Sequence, residues 1–289
     1  MNKLTVAHAH PFDHAIALQP MAPTAQATAP GSSREWLGHT SPAYANMVGP
    51  FGGVTAAQAL NAVMHHPDRL GEPVSFTANF AAALADGEFR AHATPVRTNR
   101  STQHWRVDLL QTDSQGVESV VLTATAVTAA RRKTWSAVDA VMPRVPRPHD
   151  IERAASPRPV PWLQRYDMRP CAGELPQTWD GAEADSLSQL WMRDDPPRPL
   201  DFCGLLALAD VFYPRVWRRR ALLTPVGTVS MTVYFHSGAD ELAATGEGYL
   251  LGQARAQSFF NGFFDQSAEL WNEAGHLLAT THQIVYFKE

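Results

Sequence analysis

Apolar and polar residues alternate in the second half of the chain. Apolar side chains occupy every second position of residues 228–236, at Val229, Met231, Val233 and Phe235. A period of two is typical of a strand with one buried face. Strict alternation places Thr228 on the opposite, polar face of this predicted strand, together with the histidine at 236.

A helix is predicted before this strand, over residues 202–213. Apolar side chains recur there at the i, i+3, i+4, i+7 spacing of a single helix face. Asp201 can act as the N-cap, and Pro214 is expected to end the segment. The apolar face consists of Phe202, Leu205, Leu206 and Ala209, and Tyr213 extends it by another turn.

Three segments of the first half recur in the second half in the same order. Residues 74–80 and 229–235 share a VSxTxxF pattern at an offset of 155, residues 122–125 recur at the same offset, and residues 51–53 recur at an offset of 151. Strand sequences can resemble one another by chance, but three ordered matches favour a tandem duplication. A short loop would absorb the difference in offset.

A proline-rich segment separates the two halves. Six prolines fall within the 19 residues from Pro143 to Pro161, and they block regular structure there. We therefore predict an N-terminal unit at 10–135, a linker at 136–164 and a C-terminal unit at 165–289. Each unit is α+β, with antiparallel strands wrapped around one helix, and the two units are expected to share one continuous sheet.

Composition narrows the class of protein. The 289 residues are 45% apolar and 18% charged, with a formal charge of −4 and a pI near 6.3. This balance excludes disorder of the whole chain and makes nucleic acid an unexpected partner. No segment offers the ~18 consecutive apolar residues of a membrane span, and the first residues lack the apolar core of a secretory signal. We therefore expect a cytoplasmic protein with no membrane span.

Neither the cysteines nor the N-terminal histidines indicate a metal or a disulfide framework. Two cysteines, Cys171 and Cys203, fit neither, and Cys203 lies in an apolar run, so both are expected to be small buried apolar residues. His8, His10 and His14 have no acidic or cysteine partner at ligand spacing, so we predict no metal site. No cofactor is predicted.

Several segments carry a family resemblance, which covers the chain from about residue 35 to its end. Together they resemble the acyl-CoA thioesterase II family, whose members are tandem, or double, hotdog proteins. The segments are Gly49-Pro50-Phe51-Gly52-Gly53, residues 74–80, Arg97-x-x-Arg100-Ser101, residues 200–210, residues 228–236 and Ala279-Thr280-Thr281-His282-Gln283.

The resemblance implies a catalytic set in the second half. In that family an aspartate, a threonine and a glutamine order the water that attacks the thioester, and by motif position they correspond to Asp210, Thr228 and Gln283. Asp210 lies at the border of the predicted apolar face, where partial desolvation would raise its basicity. Periodicity alone favours an ordinary polar-face aspartate, and Thr228 or Gln283 alone is most often an ordinary strand residue; only the family resemblance reverses this.

The first half offers no second catalytic set. At the aligned positions it carries Ala59, Pro73 and Thr128, none of which could replace the set. One site per chain is therefore implied.

Substrate-binding residues are expected from both halves. Gly52 and Gly53 open the first-half helix, where free N–H groups could bind the carbonyl oxygen of a thioester, although glycines there could equally serve close packing. CoA carries phosphates, so Arg97 and Arg100 are candidates to bind it, with ordinary solvated arginines as the alternative.

The sequence leaves three functions open. Hydrolysis of an acyl-CoA by direct water attack is favoured, and the absence of a G-x-S-x-G motif disfavours a serine nucleophile. An enoyl-CoA hydratase or dehydratase of the hotdog type would need a D-x-N-x-x-H pattern, which is missing. A non-catalytic acyl-ligand binding protein is the third possibility. A homodimer or larger oligomer is expected, because hotdog sheets leave a face and edges to be covered.

Overall fold

The computed structural model describes residues 10–22, 31–155 and 160–289. These ranges contain five α-helices and thirteen strands. The helices are α1 (Pro11–Ala15), α2 (Gly52–Met64), α3 (Phe202–Leu208), α4 (Arg215–Arg220) and α5 (Ala239–Thr245). The strands of the first half are β1 (Leu18–Pro20), β2 (Arg34–His39), β3 (Glu72–Phe80), β4 (Glu88–Thr98), β5 (Thr102–Thr112) and β6 (Glu118–Ala129). Those of the second half are β7 (Tyr166–Ala172), β8 (Ser188–Asp194), β9 (Val226–Phe235), β10 (Leu250–Arg255), β11 (Phe259–Phe260), β12 (Phe263–Asn272) and β13 (Leu277–Phe287).

All thirteen strands belong to one sheet, and every pairing among the described residues is antiparallel. The order is β1-β2-β4-β5-β6-β3-β9-β13-β12-β10-β8-β7, with β11 paired to β12. The order reads symmetrically outward from the contact between β3 and β9. The prediction of two hotdog units sharing one antiparallel sheet is confirmed.

The strand register supports the duplication at residues 74–80 and 229–235, whereas residues 122–125 stand two residues out of step with 277–280. Thr77 and Thr232, which stand 155 residues apart, are Cα partners across β3 and β9, and their hydroxyl oxygens lie 3.0 Å apart. Equivalent residues of two copies pair with each other only where a twofold axis relates the copies. The pseudo-twofold axis of the chain therefore passes between these two threonines.

Two buried helices form the centre of the fold. Residues of α2 are buried without interruption from Gly53 to Val63, and all seven residues of α3 are buried. A helix without a solvent face must be surrounded by other elements, here the inner face of the sheet and the other helix. None of the helices in the described ranges has the length and apolar character needed to cross a membrane.

The segment between the units lies against the second unit. Residues 130–147 form neither helix nor strand. The indole of Trp191 donates to the carbonyl of Pro146 at 2.9 Å, and the Arg169 guanidinium donates to the carbonyls of Pro148 and Ile151 at 3.0 and 3.2 Å. Further along, Trp162 stacks on Phe51 with ring centres 4.2 Å apart. The segment therefore bridges from the second unit to the start of α2.

Candidate active site

Asp210 lies in the turn that follows α3. The side chain of Asp201 caps this helix by accepting from the N–H of Gly204 at 2.7 Å, as the sequence predicts. The predicted extent of the helix, however, is wrong. It ends at Leu208, and the N–H of Asp210 bonds to the carbonyl of Ala207 in a tighter turn. Residues 210–214 therefore leave the helix and lead into α4.

The turn aims the Asp210 carboxylate at the first turn of α2. A Cβ added at Gly52 would lie 2.9 Å from Oδ2 of Asp210, and one added at Gly53 would lie 2.7 Å from the carbonyl of Ala207. The backbone N–H of Gly53 bonds to the carboxylate. Both glycines thus permit close approach, and the positive end of the α2 dipole faces a negative group.

Gln283 and Thr228 complete a chain of hydrogen bonds that ends on Asp210. The amide Nε2 of Gln283 donates to Oδ1 of Asp210 at 2.8 Å. The hydroxyl of Thr228 donates to Oε1 of Gln283 at 3.4 Å. The structure therefore brings together the three residues that the family resemblance implies.

A β-bulge in β9 orients Thr228 toward this cluster. Ile284 of β13 pairs with Ser230, but the next residue, Val285, pairs with Thr228, so Val229 has no partner. One extra residue reverses the alternation of side chains beyond it. Val229 is consequently 41% exposed, and Thr228 turns inward, opposite to the polar face that strict alternation predicts.

The environment of Asp210 raises its basicity. Protein atoms surround the carboxylate, and only part of its surface opens onto a cavity. Burial raises the pKa of Asp210 to about 7, while the hydrogen bonds from Gln283 and Gly53 act in the opposite direction. A carboxylate with this pKa is about half ionised at pH 7, and its ionised form is a stronger base than that of an ordinary aspartate.

The cavity beside Asp210 measures about 950 Å³. Its wall is mainly apolar and aromatic, with Phe51, Phe80, Trp162, Tyr166 and Trp179 among its residues. Both units and the segment between them contribute to it. The described residues that line it include the carboxylates of Asp210 and Glu174 but no Lys or Arg.

The predicted substrate-binding arginines lie elsewhere. Arg97 and Arg100 are exposed at the turn between β4 and β5, beside the end of β6 at Ala129. The cavity lies at the opposite end of β6, near Val121. The structure therefore does not bring either arginine to the cavity of its own chain.

The first-half counterpart of Gln283 is Ala126, and the prediction of Thr128 is wrong. Met231 pairs with Gln283, and Phe76, 155 residues before Met231, pairs with Ala126. The counterpart is therefore Ala126 rather than Thr128, because the spacing between the paired strands differs by two residues in the two halves. Thr128 is buried and accepts a hydrogen bond from the indole of Trp105 at 3.0 Å.

The first-half counterparts of Asp210 and Thr228 carry no catalytic group, and the neighbouring face of α2 is covered by α1. Ala59 is completely buried, and Pro73 offers no hydroxyl. On the same helix, Asn61 donates to the carbonyl of Ile16 at 2.8 Å and Gln58 donates to that of Ala15 at 2.7 Å. These bonds fix α1 and the residue after it against α2.

The histidines considered as metal ligands show other contacts. His8 lies outside the described residues. His10 caps α1 by accepting from the N–H of Phe12 at 3.0 Å. In the described part of the chain, no three His, Cys, Asp or Glu side chains are grouped to hold a metal ion.

Sequence reasoning overlooked Gln266, which also lines the cavity. It lies on β12 as the direct partner of Gln283, and its side chain is only 2% exposed. The alternation along β12 indicates its position. Gln266 stands on the inward-facing side of this strand, together with Phe264, Ala268 and Leu270. A lone amide in an otherwise apolar series points to a polar function.

Comparison with known proteins identifies the same family for both halves of the chain. Residues 41–129 match the model of the acyl-CoA thioesterase N-terminal domain, and residues 139–287 match that of the C-terminal domain. The chain is 45% identical to a protein of unknown function with a hot dog fold from Alicyclobacillus acidocaldarius, with 98% of this chain and 99% of that chain covered and a TM-score of 0.87. No curated protein matches the sequence.

Two more distant structures share the fold. A putative thioesterase II from Thermobifida fusca is 18% identical, with 96% of this chain and 97% of that chain covered and a TM-score of 0.75. An acyl-CoA thioesterase II from Mycobacterium marinum is also 18% identical, with 96% and 98% covered and a TM-score of 0.70. With the two domain matches and the double hotdog architecture, these findings show that the chain belongs to the acyl-CoA thioesterase family.

Proposed function

We propose that the protein hydrolyses the thioester of a fatty or related acyl-CoA by direct attack of water. The observation that carries this proposal is a carboxylate of raised pKa, held by Gln283 and Gly53, at the wall of a large apolar cavity. An apolar acyl chain is the ligand that such a wall favours. Gln283 and Thr228 fix the carboxylate and need not change protonation state themselves.

Asp210 acts as the general base in this mechanism. Its carboxylate takes a proton from water while the water oxygen forms a bond to the thioester carbon, and the carbonyl electron pair moves onto oxygen. The pair then returns, the C–S bond breaks, and the proton passes from Asp210 to the departing thiolate. The products are the free acid and CoA, with no covalent intermediate, metal or cofactor.

The proposal assigns no role to Arg97 and Arg100, because neither contacts the cavity. With no Lys or Arg among the described cavity residues, the CoA phosphates are expected outside this space. The acyl group and the thioester would then occupy the cavity.

The two alternative functions have weaker support. A hydratase or dehydratase would need a histidine facing Asp210, but the described cavity residues include no histidine, and both His236 and His282 are exposed. A non-catalytic binding protein would have no need for a carboxylate of raised pKa held beside the ligand.

One assay separates these three functions. The protein is incubated with saturated acyl-CoAs of increasing chain length and with a matched enoyl-CoA, and released thiol and hydrated product are measured separately. We expect thiol release from the saturated series. Hydration of the enoyl-CoA without thiol release would establish the lyase, and saturable binding without either product would establish the binding protein.

A cytoplasmic location and self-association belong to the same proposal. The outer face of the sheet exposes Tyr234, Phe263 and Tyr286, which are 51%, 45% and 42% exposed. A homodimer or larger oligomer would cover such side chains. Light scattering at micromolar concentration should give at least twice the chain mass of 31.7 kDa, and a monomeric mass would contradict this part of the proposal.

A further inference from the structure

The inference concerns Gln266 and rests on the proposed function. Water attack places negative charge on the carbonyl oxygen of the thioester, and catalysis requires a hydrogen-bond donor aimed at that oxygen. The sequence suggested the N–H groups of Gly52 and Gly53. In the structure, the N–H of Gly53 bonds to the Asp210 carboxylate. At least one of those donors is therefore already in use.

Two further donors around Asp210 are in use as well, whereas the hydroxyls of Tyr166 and Tyr213 line the cavity without a partner among the described residues. Nε2 of Gln283 donates to Asp210, and the Thr228 hydroxyl donates to Gln283. Elsewhere on the wall, the indole of Trp162 donates to Asn46 and the amide of Gln189 to Gln253.

Gln266 differs from the hydrogen-bonded residues, and unlike the two tyrosines it is the direct strand partner of Gln283. Within the described residues, its side-chain amide forms no hydrogen bond, although the side chain is only 2% exposed and lines the cavity. Neither amide atom is among the enclosed unpaired polar atoms of the described residues, so the amide borders the cavity and its hydrogen-bonding groups are available to a ligand there. An apolar residue would suit the inward-facing positions of β12 better, unless the amide binds a ligand that enters the cavity.

The register places this amide beside the catalytic cluster. Gln266 and Gln283 are direct partners across β12 and β13, with both side chains on the inner face. The Cβ atoms of such partners lie about 4.5–5.5 Å apart. The Gln266 amide therefore lies within a side-chain length of the Gln283 amide that bonds to Asp210. An attacking water and the carbonyl oxygen of its target are separated by a similarly short distance.

We propose that Gln266 is a catalytic residue whose Nε2 donates a hydrogen bond to the thioester carbonyl oxygen. The bond strengthens as the electron pair moves onto that oxygen, and it weakens again when the pair returns and the C–S bond breaks. Gln283 fixes the base, and Gln266 stabilises the oxyanion. Two neighbouring glutamines thus have separate roles.

Replacement of the donor by an apolar side chain of similar length tests this role. Gln266→Met should lower kcat about 10²- to 10³-fold, as loss of one oxyanion donor does, while KM changes by no more than a few-fold. An S-alkyl-CoA thioether, which lacks the carbonyl oxygen, should bind Gln266→Met and the wild type equally. Gln253→Met, on the neighbouring β10 and outside the cavity lining, is the matched control and should keep wild-type kcat.

Two results would overturn the proposal. One is a folded Gln266→Met protein with wild-type kcat. The other is a loss of thioether affinity as large as the loss of kcat/KM, which would show that Gln266 only shapes the cavity.

Infrared spectroscopy gives a second readout that needs no turnover. With Asp210→Asn and a thioester labelled with ¹³C at the carbonyl, the carbonyl stretch should lie below its position in an aprotic solvent, and Gln266→Met in the same background should reverse the shift. A stretch without any downshift in Asp210→Asn would contradict the proposal, even if Gln266→Met did not fold. If Asp210→Asn hydrolyses at the wild-type rate, the proposed function fails. If it is inactive while Gln266→Met is fully active, only the role of Gln266 fails.

Discussion

The two units share a backbone and differ in their chemistry. Both carry a bulge at equivalent positions, with Val74 unpaired between β3 and β6 and Val229 unpaired between β9 and β13. The residue before the bulge is Pro73 in the first unit and Thr228 in the second. The bulge that turns Thr228 inward is therefore a property of the duplicated fold, and the side chain beside it decides whether it serves a site.

The helices differ in the same way. In the second unit, α3 ends early enough to release Asp210 into a turn, whereas α2 continues to Met64 and leaves Ala59 inside the helix. A hydrogen-bonded segment around α1 packs against α2, while the cavity beside Asp210, to which both units contribute, stays open. The duplicated fold thus supplies the geometry twice, and a few side chains restrict the site to one copy.

The adjacent glycines of α2 should respond differently to substitution. Gly52→Ala directs its Cβ at the movable end of Asp210, so it should displace the carboxylate and lower kcat/KM about 100-fold while stability changes little. Gly53→Ala meets the Phe51 ring and the Ala207 carbonyl and should lower the free energy of unfolding by about 1–3 kcal/mol. Thiol-release kinetics and urea titration measure the two effects, and equal stability losses would contradict this distinction.

The losses of kcat on removing the two hydrogen bonds of the Asp210 cluster should follow the strengths of those bonds. Gln283→Ala removes a 2.8 Å bond to a carboxylate and should lower kcat about 10- to 100-fold. Thr228→Val removes a 3.4 Å bond to a neutral amide and should lower kcat by less than about 10-fold. Steady-state kinetics with one acyl-CoA would show this order, and the reverse order would contradict the assigned roles.

The pH dependence should follow Asp210. Because its pKa is about 7 and the ionised form is active, kcat/KM should fall about tenfold per pH unit below pH 7 and level off above it. Between the unfolded pKa near 3.9 and the folded value, the folded protein holds a proton that the unfolded chain has released, so this group's contribution to stability decreases as pH rises. Asp210→Asn should therefore be more stable than wild type above pH 7, with a difference that shrinks toward pH 4. A difference that grows on acidification would contradict the raised pKa.

A substitution at Thr128 on β6 of the first unit should leave turnover unchanged. Thr128→Ala leaves the buried indole N–H of Trp105 without an acceptor and should lower the free energy of unfolding by about 1–3 kcal/mol. Turnover should stay at the wild-type value, because Thr128 does not line the cavity. Parallel unfolding and turnover measurements test this, and a large loss of kcat at full stability would indicate a second site.

The sequence predicted the fold well because duplication leaves a long-range signal. The offset of 155 predicts that Thr77 and Thr232 occupy equivalent positions, and they pair across β3 and β9. Residue type and the family resemblance together predict that Asp210, Thr228 and Gln283 lie close to one another, as they do. The sequence did not predict the C-terminal end of α3. Apolar spacing continues to Tyr213, but the chain leaves the helix at Leu208, since tertiary packing decides where a short apolar helix stops.

Other features of the site depend on backbone details that alternation does not reveal. A single unpaired residue, Val229, reverses the face of Thr228, and a two-residue difference in strand spacing changes the counterpart of Gln283 from Thr128 to Ala126. Arg97 has a suitable charge for CoA, but the sheet places it at the far end of β6 from the cavity. Residue type alone does not determine position along a sheet.

The rate of thiol release by Asp210→Asn tests the central claim most directly. Asparagine keeps the shape of the side chain but lacks the negative acceptor, so folding and acyl-CoA binding should be retained. The loss of kcat should be on the order of 10²- to 10⁴-fold, as for other positioned general bases. An Asp210→Asn protein that is folded, has the oligomeric mass of the wild type and releases CoA at the wild-type rate would contradict the account.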